Sequence, residues 1–253
     1  MTNLTFISGY WLASAENNWW QWKNSFREYN QSVNRFLDSL QNVDTQIQCI
    51  FLYNSNTKCL IDADRWRRVK FLDITNLYDW KRPINHWVKF ALISPIWQQF
   101  GRYIWFDVDC EFTTAVHISD LVWVERISPP VAFFSINPVV SDPLQQFGDD
   151  IKLTHETHRG RLQEMYGVPE KGIVTSAIYL INDTKYADAC QAINQEVDHA
   201  GYTPYNDEWG HLAALQKQKL DFQNNTLISL RTLWPQCLGF HHDVDRFYGP
   251  GTY

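Results

Sequence analysis

Short apolar runs of strand type alternate with stretches of helical periodicity through the first 110 residues, and the last of these runs ends directly in acid. Leu4 to Tyr10 (LTFISGY) reads as a strand, and Trp22, Phe26, Tyr29, Val33, Phe36, Leu37 and Leu40 follow at helical spacing. Gln46 to Tyr53 and Val69 to Ile74 predict two further strands. A helix expected over 85–100 bears Trp87, Phe90, Ile93 and Trp97 on one side, and Pro95 must kink it or shift its start. Arg102 to Phe106 (RYIWF) reads as a buried strand. This alternation predicts a parallel, helix-covered sheet. In such a sheet ligands bind beyond the carboxyl ends of the strands. The polar residues at those ends are therefore the first candidates: Ser8, Gly9 and Tyr10 after the first strand, Asn54 after the second, and Asp107 after the strand at Arg102.

Downstream, Val131 to Ile136 and Ile173 to Ile181 are expected strands, with helices over 185–199 and 207–216 and short strands over 226–230 and 236–240. Between the first two lies a polar stretch, 141–171, whose length inside a compact domain predicts a lid or binding loop. No repeat, low-complexity tract or Pro/Gly-rich linker divides the chain, so a single domain is expected over 1–253.

Several classes of protein are disfavoured. No run approaches 18 consecutive apolar residues, and the first fifteen positions carry no Lys or Arg, so neither a membrane span nor a secretory signal is expected. A cytoplasmic location follows as the expectation. Cys49, Cys59, Cys110, Cys190 and Cys237 lie far apart with no C-x-x-C pair, and are expected to be reduced and mostly buried. The formal charge of -6, with no basic cluster, argues against nucleic acid as a partner.

The strongest local signal is Tyr103-Ile104-Trp105-Phe106-Asp107-Val108-Asp109-Cys110-Glu111. Two carboxylates at i and i+2, delivered by a strand that ends there, suit a divalent cation with oxygen ligands and leave positions for phosphate oxygens. D-x-D also occurs at Asp62 and at Asp243. The cations at Arg65, Arg67 and Arg68 are expected to pair with the acids at Asp62 and Asp64. The pair at Asp107 has no basic residue between Arg102 and Arg126, which leaves its charge to a metal or to solvent.

RYIWFDVDCEF resembles the strand and D-x-D motif of GT-A glycosyltransferases, which use a nucleotide-sugar donor with Mn or Mg. Trp87-Val88-Lys89 is similar to the W-x-K helix that precedes this strand in several retaining members. Val174 to Asn182 (VTSAIYLIN) resembles the F-N-S-G-hydrophobic-L-I-N strand of the glycogenin and lipopolysaccharide galactosyltransferase group, with Ala177 for Gly and Thr175 for Asn. Asn206-Asp207-Glu208-Trp209 sits where that group has a D-Q helix start, with Glu208 in place of Gln. Leu238-Gly239-Phe240-His241-His242, followed by Phe247-Tyr248-Gly249-Pro250, resembles the group's closing strand, metal-binding His and glycine-containing segment, without the K-P-W ending.

The resemblance implies an α/β fold of GT-A type, a Rossmann-like mixed sheet with helices on both faces. Residues 1–110 would form the nucleotide-binding half and 111–253 the acceptor half. It implies a hexosyltransferase, retaining by preference, that moves a sugar from a UDP- or GDP-sugar, UDP favoured, to a hydroxyl acceptor such as a glycan. Asp107 and Asp109 with His241 or His242 would hold Mn2+ or Mg2+. Lys89 would add contacts to phosphate or sugar. Asp207 and Glu208 would bind sugar hydroxyls, or supply the base if configuration inverts. Asp207 also reads as a helix N-cap. Ser8, Tyr10 and Trp11 would lie against the donor, Trp11 by ring stacking.

Other conspicuous residues have plainer readings. His155 and His158 are expected to be solvated, Trp19, Trp20 and Trp22 to be packing, and Arg159 and Arg161 to face solvent from the lid. Rival readings are a haloacid-dehalogenase-like phosphohydrolase, drawing on Ser135, Lys152, Asp149 and Asp150, a nucleotidyltransferase, and a non-catalytic carbohydrate-binding protein. The first conflicts with Glu111 and with a D-x-D about 100 residues into the chain; the second lacks a Gly-rich loop after the first strand.

Overall fold

A computed structural model describes residues 4–11, 26–78, 80, 87–135, 149–168, 176–197, 206–220, 227–229 and 238–240. Its centre is a seven-stranded mixed sheet. The strands are β1 (Thr5–Tyr10), β2 (Gln48–Tyr53), β3 (Val69–Asp73), β4 (Tyr103–Phe106), β6 (Val131–Ser135), β7 (Ile178–Ile181) and β8 (Leu227–Ser229), in the order β3-β2-β1-β4-β7-β6-β8. A separate two-stranded sheet pairs β5 (Cys110–Phe112) with β9 (Leu238–Phe240). The helices are α1 (Phe26–Ser39), α2 (Trp87–Ala91), α3 (Ile93–Phe100), α4 (Asp149–Tyr166), α5 (Thr184–Glu196) and α6 (Asn206–Lys217).

The four strands of the first half are mutually parallel. β7 is antiparallel to both β4 and β6, which makes the whole sheet mixed. Alternation along each strand divides the core into two layers. Ile7, Ile50, Tyr103 and Trp105 face the layer that includes Trp87, Phe90, Ile93, Tyr186 and Leu212 from α2, α3, α5 and α6. Phe6, Phe51, Ile104 and Phe106 face the layer that includes Val33, Phe36 and Leu37 from α1. β4 is buried at every position, as a central strand covered on both faces must be. The architecture is the mixed α/β sheet with helices on both faces that the motifs implied. Among the described residues, no helix is long and apolar enough to cross a membrane.

The order of the strands positions the site. β1 leads to β2 and β3 on one side, and the chain then returns past β1 to place β4 on the other. The crevice beyond the carboxyl ends of β1 and β4 is thus the topological switch point.

Three expectations need correction. The polar stretch expected to be a lid or loop holds the 18-residue helix α4, packed against α6. Its apolar residues follow no helical period; the helix is fixed by Leu162 and, just past its end, Val168, both buried in the core. The helix expected over 85–100 is two, broken at Leu92. Pro95 falls in the first turn of α3, where its missing N–H is tolerated. The strand expected from Ile173 starts at Ile178. Residues 173–175 lie outside the described set, and the backbone at 176–177 bonds instead to the cluster described below. As expected, Cys49, Cys110 and Cys190 are free and buried; Cys59 is exposed.

Candidate active site

β4 ends at Phe106, and the chain turns at once: the Cys110 N–H donates to the Asp107 carbonyl at 3.0 Å, closing a turn that carries Asp107 and Asp109. The Asp107 backbone N–H donates to the Ala177 carbonyl at 2.8 Å, which ties this turn to the segment entering β7. The Trp105 indole Nε1–H, buried in the strand, reaches Asp107 Oδ1 at 2.6 Å.

Asp107, partly exposed, has a basic partner that the sequence around it did not show. Lys89, on α2, directs its Nζ to Asp107 Oδ1 and Oδ2 at 3.0 and 3.1 Å. The same ammonium lies 3.1 Å from Asp207 Oδ2 and donates to the Ser176 carbonyl at 3.1 Å. α2 can seat it because Trp87 and Val88 are fully buried and the Trp87 indole N–H bonds Asn194 of α5 at 2.8 Å. Burial opposes the charge on Lys89, but Asp107 and Asp207 outweigh it and hold the ammonium above its ordinary range.

Asp207 and Glu208 enter from the first turn of α6, where helix-terminal N–H groups favour negative charge. Asp207 is not the N-cap, because α6 begins one residue earlier, at Asn206. Its carboxylate is fully buried and accepts from the Ser176 hydroxyl at 2.6 Å. Glu208 Oε1 accepts a long bond from the Ser176 N–H at 3.4 Å, and Oε2 is buried without a hydrogen-bond partner among the described residues. Burial, reinforced by Asp207, pushes the Glu208 carboxyl well above the usual carboxylate range. Burial thus disfavours the charged form of Glu208.

One turn along the same face of α6 stands His211, a residue the sequence reading passed over. Its Nδ1 lies 2.9 Å from the Tyr186 hydroxyl, and the rings of Phe90, Phe133 and Tyr179 surround it edge to face. Burial pushes its pKa down to about 3. Because His211 takes up a proton at its ordinary pKa of 6.5 in the unfolded chain but stays neutral when folded, the fold loses stability as pH falls below 6.5. At pH 5 that loss is about 2 kcal/mol. His211→Gln is expected to flatten this acid limb in urea titrations between pH 7 and pH 5, whatever it does to stability at pH 7; an unchanged limb would refute a neutral buried His211.

Around the cluster, Trp11 leaves β1 with its ring packed on Gly9, where a Cβ would come within 2.9 Å of it. Trp11 lies 6.0 Å from Trp105, which stacks on Tyr179. Ser8 and Tyr10 do not follow the strand but belong to it. Tyr10 packs in the opposite core layer, on the face that alternation also gives to Ser8. Trp209 is likewise buried, with Arg159 over its ring at 5.9 Å. His158 is not solvated: it is 7% exposed and meets the Trp87 ring edge to face. The side chain of His155 lies outside the description.

The Asp62 motif is exposed, yet the guanidinium of Arg65 goes to Asp38 at 2.5 Å, and only its backbone N–H bonds Asp62. Ser135 ends β6, while Asp149, Asp150 and Lys152 begin a helix. His241, His242, Tyr248 and the Asp243 motif lie outside the described residues, as do Trp19, Trp20 and Trp22. β9 nevertheless ends at Phe240 directly opposite Cys110, the residue after Asp109.

Among the described residues no group of three or more His, Cys, Asp or Glu side chains could hold a metal. The donors on the Asp107–Asp109 turn are hard carboxylate oxygens, which suit Mg2+ or Mn2+, and β9 brings the C-terminal chain beside them. The turn's two carboxylates fit a cation that takes the rest of its shell from phosphate oxygens.

Fold and cluster together define an α/β protein with a buried, lysine-bridged acidic site at the switch point of a mixed sheet. No protein-family model matches the sequence, and no curated protein matches it. Among solved structures, the chain is similar to mouse xyloside xylosyltransferase 1 in its apo form, at 13% identity and a TM-score of 0.48, over 90% of this chain and 85% of that one.

Proposed function

We propose that the chain is a metal-dependent glycosyltransferase that moves a sugar from a nucleotide-diphosphate donor, a UDP- or GDP-sugar, to an acceptor hydroxyl. The observation that carries this reading is the acidic turn at the carboxyl end of β4, joined through Lys89 to Asp207 on α6. The turn belongs to the half expected to bind the donor and α6 to the half expected to bind the acceptor, so carboxyl groups from both halves meet at one site.

Asp109, with Asp107, would hold Mn2+ or Mg2+, with His241 or His242 completing the set. The cation would neutralise charge developing on the departing diphosphate. In the transfer, the acceptor oxygen bonds to the anomeric carbon, the bond from that carbon to the phosphate oxygen breaks, and its electron pair leaves with the diphosphate. Asp207 is engaged by Lys89 and Ser176, and Glu208 is buried with its contact to the Ser176 N–H at 3.4 Å, so neither is assigned as the base. Both suit hydrogen bonding to sugar hydroxyls, and the acceptor proton then goes to the leaving phosphate oxygen. That favours retention of configuration. Trp11 offers a ring beside the site for stacking against the donor.

The test is a panel of nucleotide sugars with Mn2+ and with EDTA. Release of nucleoside diphosphate from at least one of them, abolished by EDTA, is expected. Phosphate release from a generic phosphoester instead would favour a phosphohydrolase. Sugar binding indifferent to EDTA, without turnover, would favour a carbohydrate-binding protein.

A further inference from the structure

An ammonium has three protons, and Lys89 meets four acceptor oxygens within 3.1 Å: both of Asp107, one of Asp207 and the Ser176 carbonyl. It has no proton left for a phosphate unless it surrenders one of these partners. Asp107 is engaged at both oxygens, Oδ1 accepting from Trp105 and Lys89 and Oδ2 from Lys89, which leaves a single lone pair, on Oδ2, for a cation. We propose that Lys89 is a positioning residue that closes Asp107 to a bare divalent cation, so that the acidic turn takes up metal together with a nucleoside diphosphate rather than before it. This rests on reading the turn as the donor's metal site.

The physical case is a competition. A cation arriving alone must draw Asp107 away from an ammonium that is itself buried, and would bring a second positive centre next to Lys89. A cation arriving with a diphosphate brings anionic oxygens, to which Lys89 can turn as Asp107 is released. The cation and Lys89 are thus negatively coupled through Asp107, and the diphosphate relieves the coupling. Because such coupling is reciprocal, removing Lys89 should strengthen the binding of metal alone.

The experiment is titration of MnCl2 into the full chain, read by the EPR signal of free Mn2+, without and with UDP or GDP. The proteins are wild type, Lys89→Met and Asp207→Asn. Wild type is expected to bind Mn2+ about tenfold or more tightly when the nucleoside diphosphate is present. Lys89→Met should bind Mn2+ alone about tenfold more tightly than wild type and gain less from the nucleotide. Asp207→Asn leaves Asp107 as the one carboxylate paired with Lys89 and should bind Mn2+ alone more weakly than wild type. A merely structural lysine would not raise metal affinity when removed.

Mn2+ binding by Lys89→Met no tighter than wild type overturns the proposal. If that variant fails to fold, equal or tighter binding by Asp207→Asn does so. In either case wild type still binds Mn2+ with UDP or GDP and the functional reading stands. A wild type that binds no Mn2+ even with the nucleotides refutes both.

Discussion

Lys89→Ala is expected to lower the stability of the folded chain by about 3–5 kcal/mol, the range for removing one partner of a buried ion pair. Denaturant titration should show a lower midpoint at unchanged slope. The ammonium is 7% exposed and bonds two carboxylates, one of them, Asp207, fully buried. Without it Asp107 and Asp207 are left beside Glu208 with no cation between them. The folded pKa of Lys89 is raised, so its contribution is complete below the ordinary lysine value of 10.5 and lost only as pH rises through the higher folded value. The destabilisation should therefore be constant across neutral pH, unlike the acid limb assigned to His211. Adding Asp207→Asn to Lys89→Ala should recover part of the loss, since the two sites are in contact and not additive. A loss below about 1 kcal/mol would match an exposed ion pair and show that the bridge does not form in solution.

Asp109→Ala should lower metal-dependent turnover of the donor about 10³-fold, some 4 kcal/mol of transition-state stabilisation, while the fold is kept. Asp109 is half-buried on the turn past β4 and packs no core, so its removal disturbs little of the sheet. Asp62→Ala is the control, because it deletes the first acid of an exposed D-x-D between β2 and β3; it should leave turnover unchanged and cost about 1 kcal/mol of stability through the lost bond from the Arg65 N–H. Equal effects of the two substitutions would remove the basis for choosing the motif at Asp107.

The parallel half of the fold was legible because each of its strands is an apolar run bounded by polar residues, and β4 is apolar at every position. Strand direction is not encoded in such a run, so the antiparallel placement of β7 was not. α4 escaped because its sequence is mostly polar and carries no helical period; among its described side chains only His158 and Leu162 are buried. The chemistry was half legible. The motif identified the acidic turn, but the bridge from Lys89 to Asp107 joins different elements 18 positions apart, and scanning for nearby cations between Arg102 and Arg126 could not see it. Reading the face of α6 would have found His211, four residues on from Asp207. Ser176 carried no signal beyond the strand resemblance; its role arises because the strand stops short of it and frees its backbone for Lys89 and Glu208.

The central claim is that a nucleotide sugar binds at this turn through a divalent cation, and thermal unfolding with UDP- and GDP-sugars, in Mn2+ and in EDTA, tests it most directly. A donor at 100 times its dissociation constant adds about 2.7 kcal/mol to the folded state, roughly 5–11 °C for a chain of this size. The account expects that shift with at least one sugar nucleotide in Mn2+, and its loss both in EDTA and in Asp109→Ala. The same shift in EDTA or in Asp109→Ala, or no shift with any sugar nucleotide, would contradict it.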